Sequence, residues 1–243
     1  MATVLITGAN RGIGLALAKQ YASDGAAVIG CCREPAMAEA LSALVDASRG
    51  RVRIMQLDVA EEASIASLKH TVADQPIDIL INNAGVNGTP KPQSAYCIDS
   101  ENWIRTMRIN ALAPILVAQA CYDNLKLGTE KKLVAISSCM GSTGHDYGAI
   151  VESGKHRYAY RASKAALNNG MRGLARDWAS EGVLVAILDP GWARTDMAGD
   201  DALASPKSIS PEESARGLKE RIAELTPATS GTFRRFWGET IPW

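Results

Sequence analysis

The sequence predicts an α/β fold: one doubly wound parallel sheet of about seven strands, helices on both faces, in a single domain spanning residues 1–243. Three observations predict it. Short runs rich in β-branched residues alternate along the whole chain with longer stretches of helical period. No Gly/Ser/Pro-rich linker, repeat or low-complexity segment divides the chain. An apolar content of 47% over 243 residues is enough for one substantial core without disulfides or a structural metal.

In chain order, strands are predicted at 3–7, 27–31, 51–57, 77–82, 132–137, 183–189 and 232–236. Between the first pair, Ile13, Leu17 and Tyr21 form one helical stripe; Met37, Leu41, Leu44 and Val45 form a second, and Ile65, Leu68 and Val72 a third. A later helix carries Tyr160 and runs toward Ala179. Parallel strands joined by right-handed crossovers leave their ligand crevice beyond the carboxyl ends of the strands. Function is therefore sought just after each strand. Two aperiodic stretches, near 139–157 and 196–211, are long enough to cover such a crevice.

Composition excludes several classes. With 26 Lys and Arg against 26 Asp and Glu there is no charge excess to drive nucleic-acid or acidic-membrane binding. The longest mostly apolar stretch, 109–121, is interrupted by Asn110, Pro114 and Gln119 and falls short of the ~20 residues a bilayer span needs. Apolar periodicity from Val4 leaves no room for a leader, so a cytoplasmic protein is expected. Cys31, Cys32, Cys97, Cys121 and Cys139 read as buried free thiols. Three scattered histidines give no metal site.

Directly after the first strand comes Thr7-Gly8-Ala9-Asn10-Arg11-Gly12-Ile13-Gly14, opening the first helix. A strand, a glycine turn and a helix N-terminus converge unpaired N–H groups and the helix dipole on an anion such as a phosphate. A tight turn with small residues for packing is the alternative. At the end of the second strand, where NAD-binding folds place an acid for the ribose, stands Arg33. Arg33 and Arg11 suit a 2′-phosphate, so NADP is favoured over NAD; two solvated arginines are the bland alternative.

Tyr160 and Lys164 stand four apart, side by side on one helix face, whereas the same step from Tyr158 or Tyr147 reaches Ala162 or Val151. A phenol with an unperturbed pKa of about 10 trades protons near neutrality only if its anion gains roughly 4 kcal/mol. A neighbouring ammonium and a cationic ring together would supply that.

The set Thr7 to Gly14, Asn82-Asn83-Ala84-Gly85, Asn110, Ser138, Tyr160 with Lys164, and Pro190-Gly191 with Thr195 resembles the short-chain dehydrogenase/reductase family over nearly the whole chain. Residues 158–164 (YAYRASK), 190–197 (PGWARTDM) and the closing Pro242-Trp243 resemble its C-factor and sniffer-type carbonyl reductase branch. The resemblance implies a Rossmann-type NAD(P)-binding domain and NADP-dependent interconversion of a carbonyl compound and an alcohol. It implies that Gly8, Asn10, Arg11, Gly12, Ile13 and Gly14 hold the pyrophosphate end of the cofactor. Arg33 would serve the 2′-phosphate, Asp58 and Val59 the adenine, and Asn83, Ala84 and Gly85 the ribose. Pro190, Gly191, Ala193 and Thr195 would frame the nicotinamide.

In the same resemblance Tyr160 is the proton donor, Lys164 lowers its pKa and holds the ribose hydroxyls, Ser138 steadies the reacting oxygen, and Asn110 connects Lys164 to solvent. A small-molecule substrate and a homo-oligomer (dimer or tetramer) are implied, with no nucleic acid or membrane. A C-factor-type signalling protein with weak turnover is the alternative; a sugar-nucleotide epimerase or dehydratase ranks last, since few residues follow Thr195.

Ser138 and Tyr160 are further apart than is usual in that family, so a loop is inserted between them. Ser137 rivals Ser138, because strand alternation points neighbours to opposite faces. His145, Tyr147 and His156 read as solvated loop residues, Arg234 and Arg235 as solvent-facing charge, and Cys139 as unactivated. Trp192 and Met197 either line an apolar pocket or pack between helices. Asp58 has a second possible role, as a helix cap.

Overall fold

A computed structural model describes residues 1–88, 93–144 and 157–243. Among them, seven parallel strands form one sheet: β1 (Thr3–Thr7), β2 (Ala27–Cys32), β3 (Val52–Gln56), β4 (Ile79–Asn82), β5 (Lys132–Ile136), β6 (Leu184–Asp189) and β7 (Phe233–Arg235). Their order is β3-β2-β1-β4-β5-β6-β7. Val4 of β1 faces Val28 of β2 on one side and Ile79 of β4 on the other, so the order reverses between β1 and β4. That switch point opens the crevice beyond the strand ends.

The helices are α1 (Gly12–Ser23), α2 (Glu39–Ala47), α3 (Glu62–Val72), α4 (Ser100–Met107), α5 (Ala113–Ala120), α6 (Tyr122–Leu127), α7 (Tyr158–Asp177), α8 (Asp200–Ala204) and α9 (Pro211–Ala223). Strand alternation sends Val4 and Ile6 to one face of the sheet, against Leu17 of α1 and Leu218 of α9. Leu5 goes to the other, with Leu68 of α3, Val117 of α5 and Met171 of α7. Both faces are covered, which is why the strands read as continuous apolar runs. Each fully buried leucine, such as Leu80 or Leu133, contributes about 1.5–3 kcal/mol relative to exposure. Helix starts follow local chemistry: Asp99 accepts the Asn102 N–H at 3.1 Å to open α4, and Ser210 accepts the Glu213 N–H at 3.0 Å to open α9, with Pro211 in its first turn.

Three sequence expectations change. Met37 is not part of the second helical stripe: Pro35 starts a separate 3-10 turn, Pro35–Met37, α2 begins only at Glu39, and Met37 is 74% exposed. Cys97 is exposed in a turn bridged to Ser94, while Cys31, Cys32 and Cys121 are buried and Cys139 half-buried. Asp58 does not cap α3, whose flanking residue is Glu61; its Oδ1 accepts the Ala60 N–H at 2.9 Å in a turn. Strand ends otherwise move by one or two residues, as fraying allows.

At the opposite end of the sheet, Asp78 ties three segments together. Its carboxylate accepts the Thr3 N–H at 2.7 Å, the Thr129 N–H at 2.7 Å and hydroxyl at 2.8 Å, and the Glu130 N–H at 3.4 Å. Burial pushes its pKa up, but these donors outweigh burial and hold it below the ordinary carboxylate value. Its stabilisation is thus complete above the unfolded value of about 4 and is lost as pH falls through the lower folded value. Asp78→Asn is expected to cost about 2 kcal/mol at neutral pH in urea unfolding, with the gap narrowing as the wild-type carboxylate protonates below pH ~4.

Candidate active site

The turn after β1 places glycine at the positions where a Cβ would be strained or would collide. Gly8 and Gly12 have φ of 66° and 55°, where a Cβ is strained. A Cβ on Gly14 would stand 2.2 Å from the Gly8 carbonyl oxygen and 2.5 Å from Asn83 Nδ2. Asn83 knits this turn to the end of β4: its Nδ2 donates to the Thr7 and Gly8 carbonyls at 2.9 and 3.1 Å, and Thr7 Oγ1 accepts the Asn83 and Ala84 N–H groups, each at 3.0 Å. The first turn of α1 carries no acid and no side-chain cap. The N-terminal N–H groups and the positive end of the helix dipole therefore face the crevice, the arrangement that receives an anion.

Arg11 and Arg33 sit at the rim. Arg11 pairs with Asp196 at 2.9 Å and Arg33 with Glu34 at 2.9 Å, all four side chains largely exposed. Exposed pairs of this kind are weak, so both guanidinium groups can exchange a carboxylate for a phosphate at little cost. The loop after β6 closes the other side of the crevice. Gly191 turns it with φ of 74°, and a Cβ at Gly12 would come within 3.1 Å of Thr195 Cγ2, so the two loops meet.

Deeper in, α7 and the end of β5 bring together the remaining groups. Tyr160 and Ser138 are hydrogen bonded through their hydroxyls. Ser137 points into the core instead, donating to Asn168 Oδ1 at 2.5 Å, so the register places Ser138 and not its neighbour beside Tyr160. Lys164, buried, donates from Nζ to the Ile136 carbonyl at 2.8 Å and lies 5.7 Å from the Tyr160 ring centre. Asn110 sits in a π-turn, Arg108–Leu112. It accepts the Val86 N–H at 2.8 Å and donates to the Val86 carbonyl at 2.7 Å and to Ser163 Oγ at 3.0 Å, clamping the β4 loop to α7.

Burial pushes the Tyr160 phenol up to about 12, against the pull of the Ser138 hydrogen bond and the Arg157 charge. Desolvation drives Lys164 down to about 8, with Asp189 acting in the opposite sense. Burial is the largest influence on the Tyr160 phenol, and Arg157 is a cation that works against it.

Ser138 and Tyr160 open onto a cleft of about 890 Å³ whose apolar wall includes Met140, Trp192, Met197, Ile209 and Phe236. Trp192 and Met197 thus line it, half-exposed, and do not pack between helices. Asp189 and Arg157 are among the wall residues that sequence did not single out, and another was read otherwise. Arg235 is not solvent-facing: its side chain is 15% exposed and pairs with Asp189 at 3.5 Å and Glu239 at 3.1 Å. Arg234, 22% exposed, faces Glu224 at 3.7 Å. Burial pushes the Cys139 thiol up to about 11, against an activated nucleophile. His145, Tyr147 and His156 lie outside the described residues, as does most of the cover near 139–157. Among the described residues no helix is long and apolar enough to cross a membrane, and no His/Cys/Asp/Glu group of three or more could hold a metal.

A family model for short chain dehydrogenase matches residues 2–204. The chain belongs to the short-chain dehydrogenase family. This family member is 38% identical to C-signal of Myxococcus xanthus over 177 residues, which cover 71% of this chain and 96% of that protein. It superposes on the NADPH-bound carbonyl reductase from chicken fatty liver with a TM-score of 0.88 at 27% identity, covering 100% of this chain and 99% of the other. It superposes on carbonyl reductase Sniffer of D. melanogaster with a TM-score of 0.86 at 28% identity, covering 100% of both. The chain thus has both C-signal and Sniffer-type relatives, as its motifs suggest, within an oxidoreductase family.

Proposed function

We propose that this dehydrogenase is an NADP-dependent oxidoreductase that reduces an aldehyde or ketone to an alcohol, or runs the reverse, with Tyr160 as the proton donor. The observation that carries the reading is the Tyr160–Ser138 hydroxyl pair, on the wall of an apolar cleft and beside a glycine cradle that a single Cβ would fill. The residues fit a dinucleotide. The acid-free start of α1 suits a pyrophosphate, Arg11 and Arg33 a 2′-phosphate, Asp58 and Val59 the adenine, and Asn83, Ala84 and Gly85 the ribose. Pro190, Gly191, Ala193 and Thr195 suit the carboxamide side.

When bound, the nicotinamide supplies the hydride. The chain's own residues do the rest. Ser138 donates to the carbonyl oxygen as negative charge grows on it, Tyr160 gives that oxygen its proton, and Lys164 resupplies the proton and holds the ribose hydroxyls. Asn110 keeps the β4 loop and α7 in register for that transfer. Segments near 139–157 and 196–211 cover the substrate, and the whole chain acts as one NAD(P)-binding domain. The reading also takes the protein as cytoplasmic and as a homo-oligomer, dimer or tetramer, whose size a sedimentation experiment measures.

The test is to titrate the protein with NADPH and NADH and then follow cofactor absorbance across a panel of carbonyl compounds. Arg33→Ala is expected to weaken NADPH binding about tenfold or more while leaving NADH nearly unchanged; equal losses would remove the assigned role of Arg33. A second reading, a dinucleotide-binding signalling protein of C-factor type with weak turnover, is favoured by the likeness to C-signal. It predicts tight cofactor binding and no turnover that depends on Tyr160.

A further inference from the structure

Asp189 closes β6 and is 3% exposed on the wall of the cleft that holds Ser138 and Tyr160. A carboxylate held out of water costs several kcal/mol unless it is well partnered. Its Oδ1 accepts the N–H of Cys139, the residue after Ser138, at 2.8 Å, and its Oδ2 faces Arg235 Nη1 at 3.5 Å. Arg235 in turn bonds the Cys139 thiol. Two strands thus grip the one turn that carries the Ser138 hydroxyl. A neutral acceptor would hold the Cys139 N–H equally well; what a carboxylate adds is its charge.

We propose, resting on the reading of Tyr160 as proton donor, that Asp189 is a positioning residue for the reaction: with Arg235 it fixes the Ser138 turn against Tyr160, and its charge favours the proton-bearing state of the site. The charged and titratable groups facing it are Cys139 from the turn, Tyr160 and Lys164 from α7, and Arg235 from β7, with Glu239 of the following turn behind that arginine. Arg157 acts on the same phenol from the start of α7. A negative charge here works against the phenolate and for the ammonium, so both protons are retained. Retained protons suit the donor role in carbonyl reduction and oppose the base role in alcohol oxidation.

The experiment compares wild type with Asp189→Asn, which keeps the shape and an acceptor, and Asp189→Ala, which removes both. In Asp189→Asn the rising limb of kcat/KM for alcohol oxidation and the falling limb for reduction should both move to lower pH by about one unit. Asp189→Ala should in addition lower kcat about tenfold or more with KM little changed, because the Ser138 hydroxyl is no longer held. If Asp189→Ala fails to fold, Asp189→Asn alone carries the test. Unmoved limbs in Asp189→Asn, with losses confined to thermal stability, would reduce Asp189 to a structural role and overturn the proposal.

A readout independent of turnover separates this from the parent reading. The phenolate absorbance of Tyr160 is obtained by difference against Tyr160→Phe in each background, and it should rise at lower pH in Asp189→Asn than with Asp189 present. If that titration moves while no carbonyl is reduced, the donor reading fails and the action of Asp189 on Tyr160 stands. If it does not move, the proposal falls whatever the turnover.

Discussion

Tyr160→Phe lowers kcat/KM for carbonyl reduction by about 10²–10⁴-fold, the range expected when a positioned general acid is removed, and leaves NADPH affinity within a few-fold of wild type. The substitution deletes one hydroxyl, which bonds Ser138, and leaves the ring in its half-buried place on α7. Folding should be nearly unaffected, so the loss falls on chemistry. Steady-state reduction with cofactor saturating and a parallel binding titration check it, and unchanged turnover would favour the signalling reading. The wild-type pH profile gives a second check. With Lys164 at about 8 and Tyr160 held near 12, reduction should decline as pH rises through about 8, where the ammonium that resupplies the proton is lost. The sign follows from a lowered ammonium value: Lys164 carries its proton below it and not above. A decline beginning only near 10 would mean that Lys164 is far less desolvated than the structure has it.

Gly14→Ala is the second large effect, and two terms compete in it. Alanine is the better helix former by about 1 kcal/mol, which favours the substitution. Against it, the new methyl would stand 2.2 Å from the Gly8 carbonyl oxygen and 2.5 Å from the Asn83 amide that holds Thr7 and Gly8. The first of these is backbone and cannot rotate away, so the overpacking term, ordinarily about 1–3 kcal/mol, is at or above the top of its range and wins. The expected result is a net loss of about 2 kcal/mol, or roughly 4–8 °C in Tm for a chain of this size, with NADPH affinity down at least tenfold because the cradle must widen. Thermal unfolding with and without NADPH measures both. A variant as stable as wild type that still binds NADPH tightly would show that the turn relaxes at no cost.

Much of the fold was legible because its determinants are local. Strands buried on both faces read as apolar runs, and Ile65, Leu68 and Val72 come out buried on α3 as their spacing requires. Met37 misled because helical spacing does not reveal that Pro35 breaks the run before α2. In the site, the glycine turn and the Tyr160/Lys164 step were visible as patterns within a few residues. Ser138 could be told from Ser137 only by their partners, Tyr160 and Asn168, which lie on a helix 20 or more positions away. Asp189 and Arg235 each looked ordinary alone; their pairing joins β6 to β7, and Asp189 reaches back 50 positions to Cys139. The only cue at Asp189 was an acid at the end of an apolar strand, next to a Pro-Gly turn.

By itself, then, the order of residues determined the alternation of strands and helices, the glycine turn after β1, and the placing of a phenol and an amine on one helix face. These depend on steric rules and periods that act over one or two turns of chain. Tertiary structure decided which serine meets the phenol, which arginine is drawn from solvent, and whether burial or a neighbouring charge governs the phenol's proton. Those outcomes depend on desolvation and on partners brought close only when distant strands are stacked side by side, and neither quantity is carried by any short stretch of sequence.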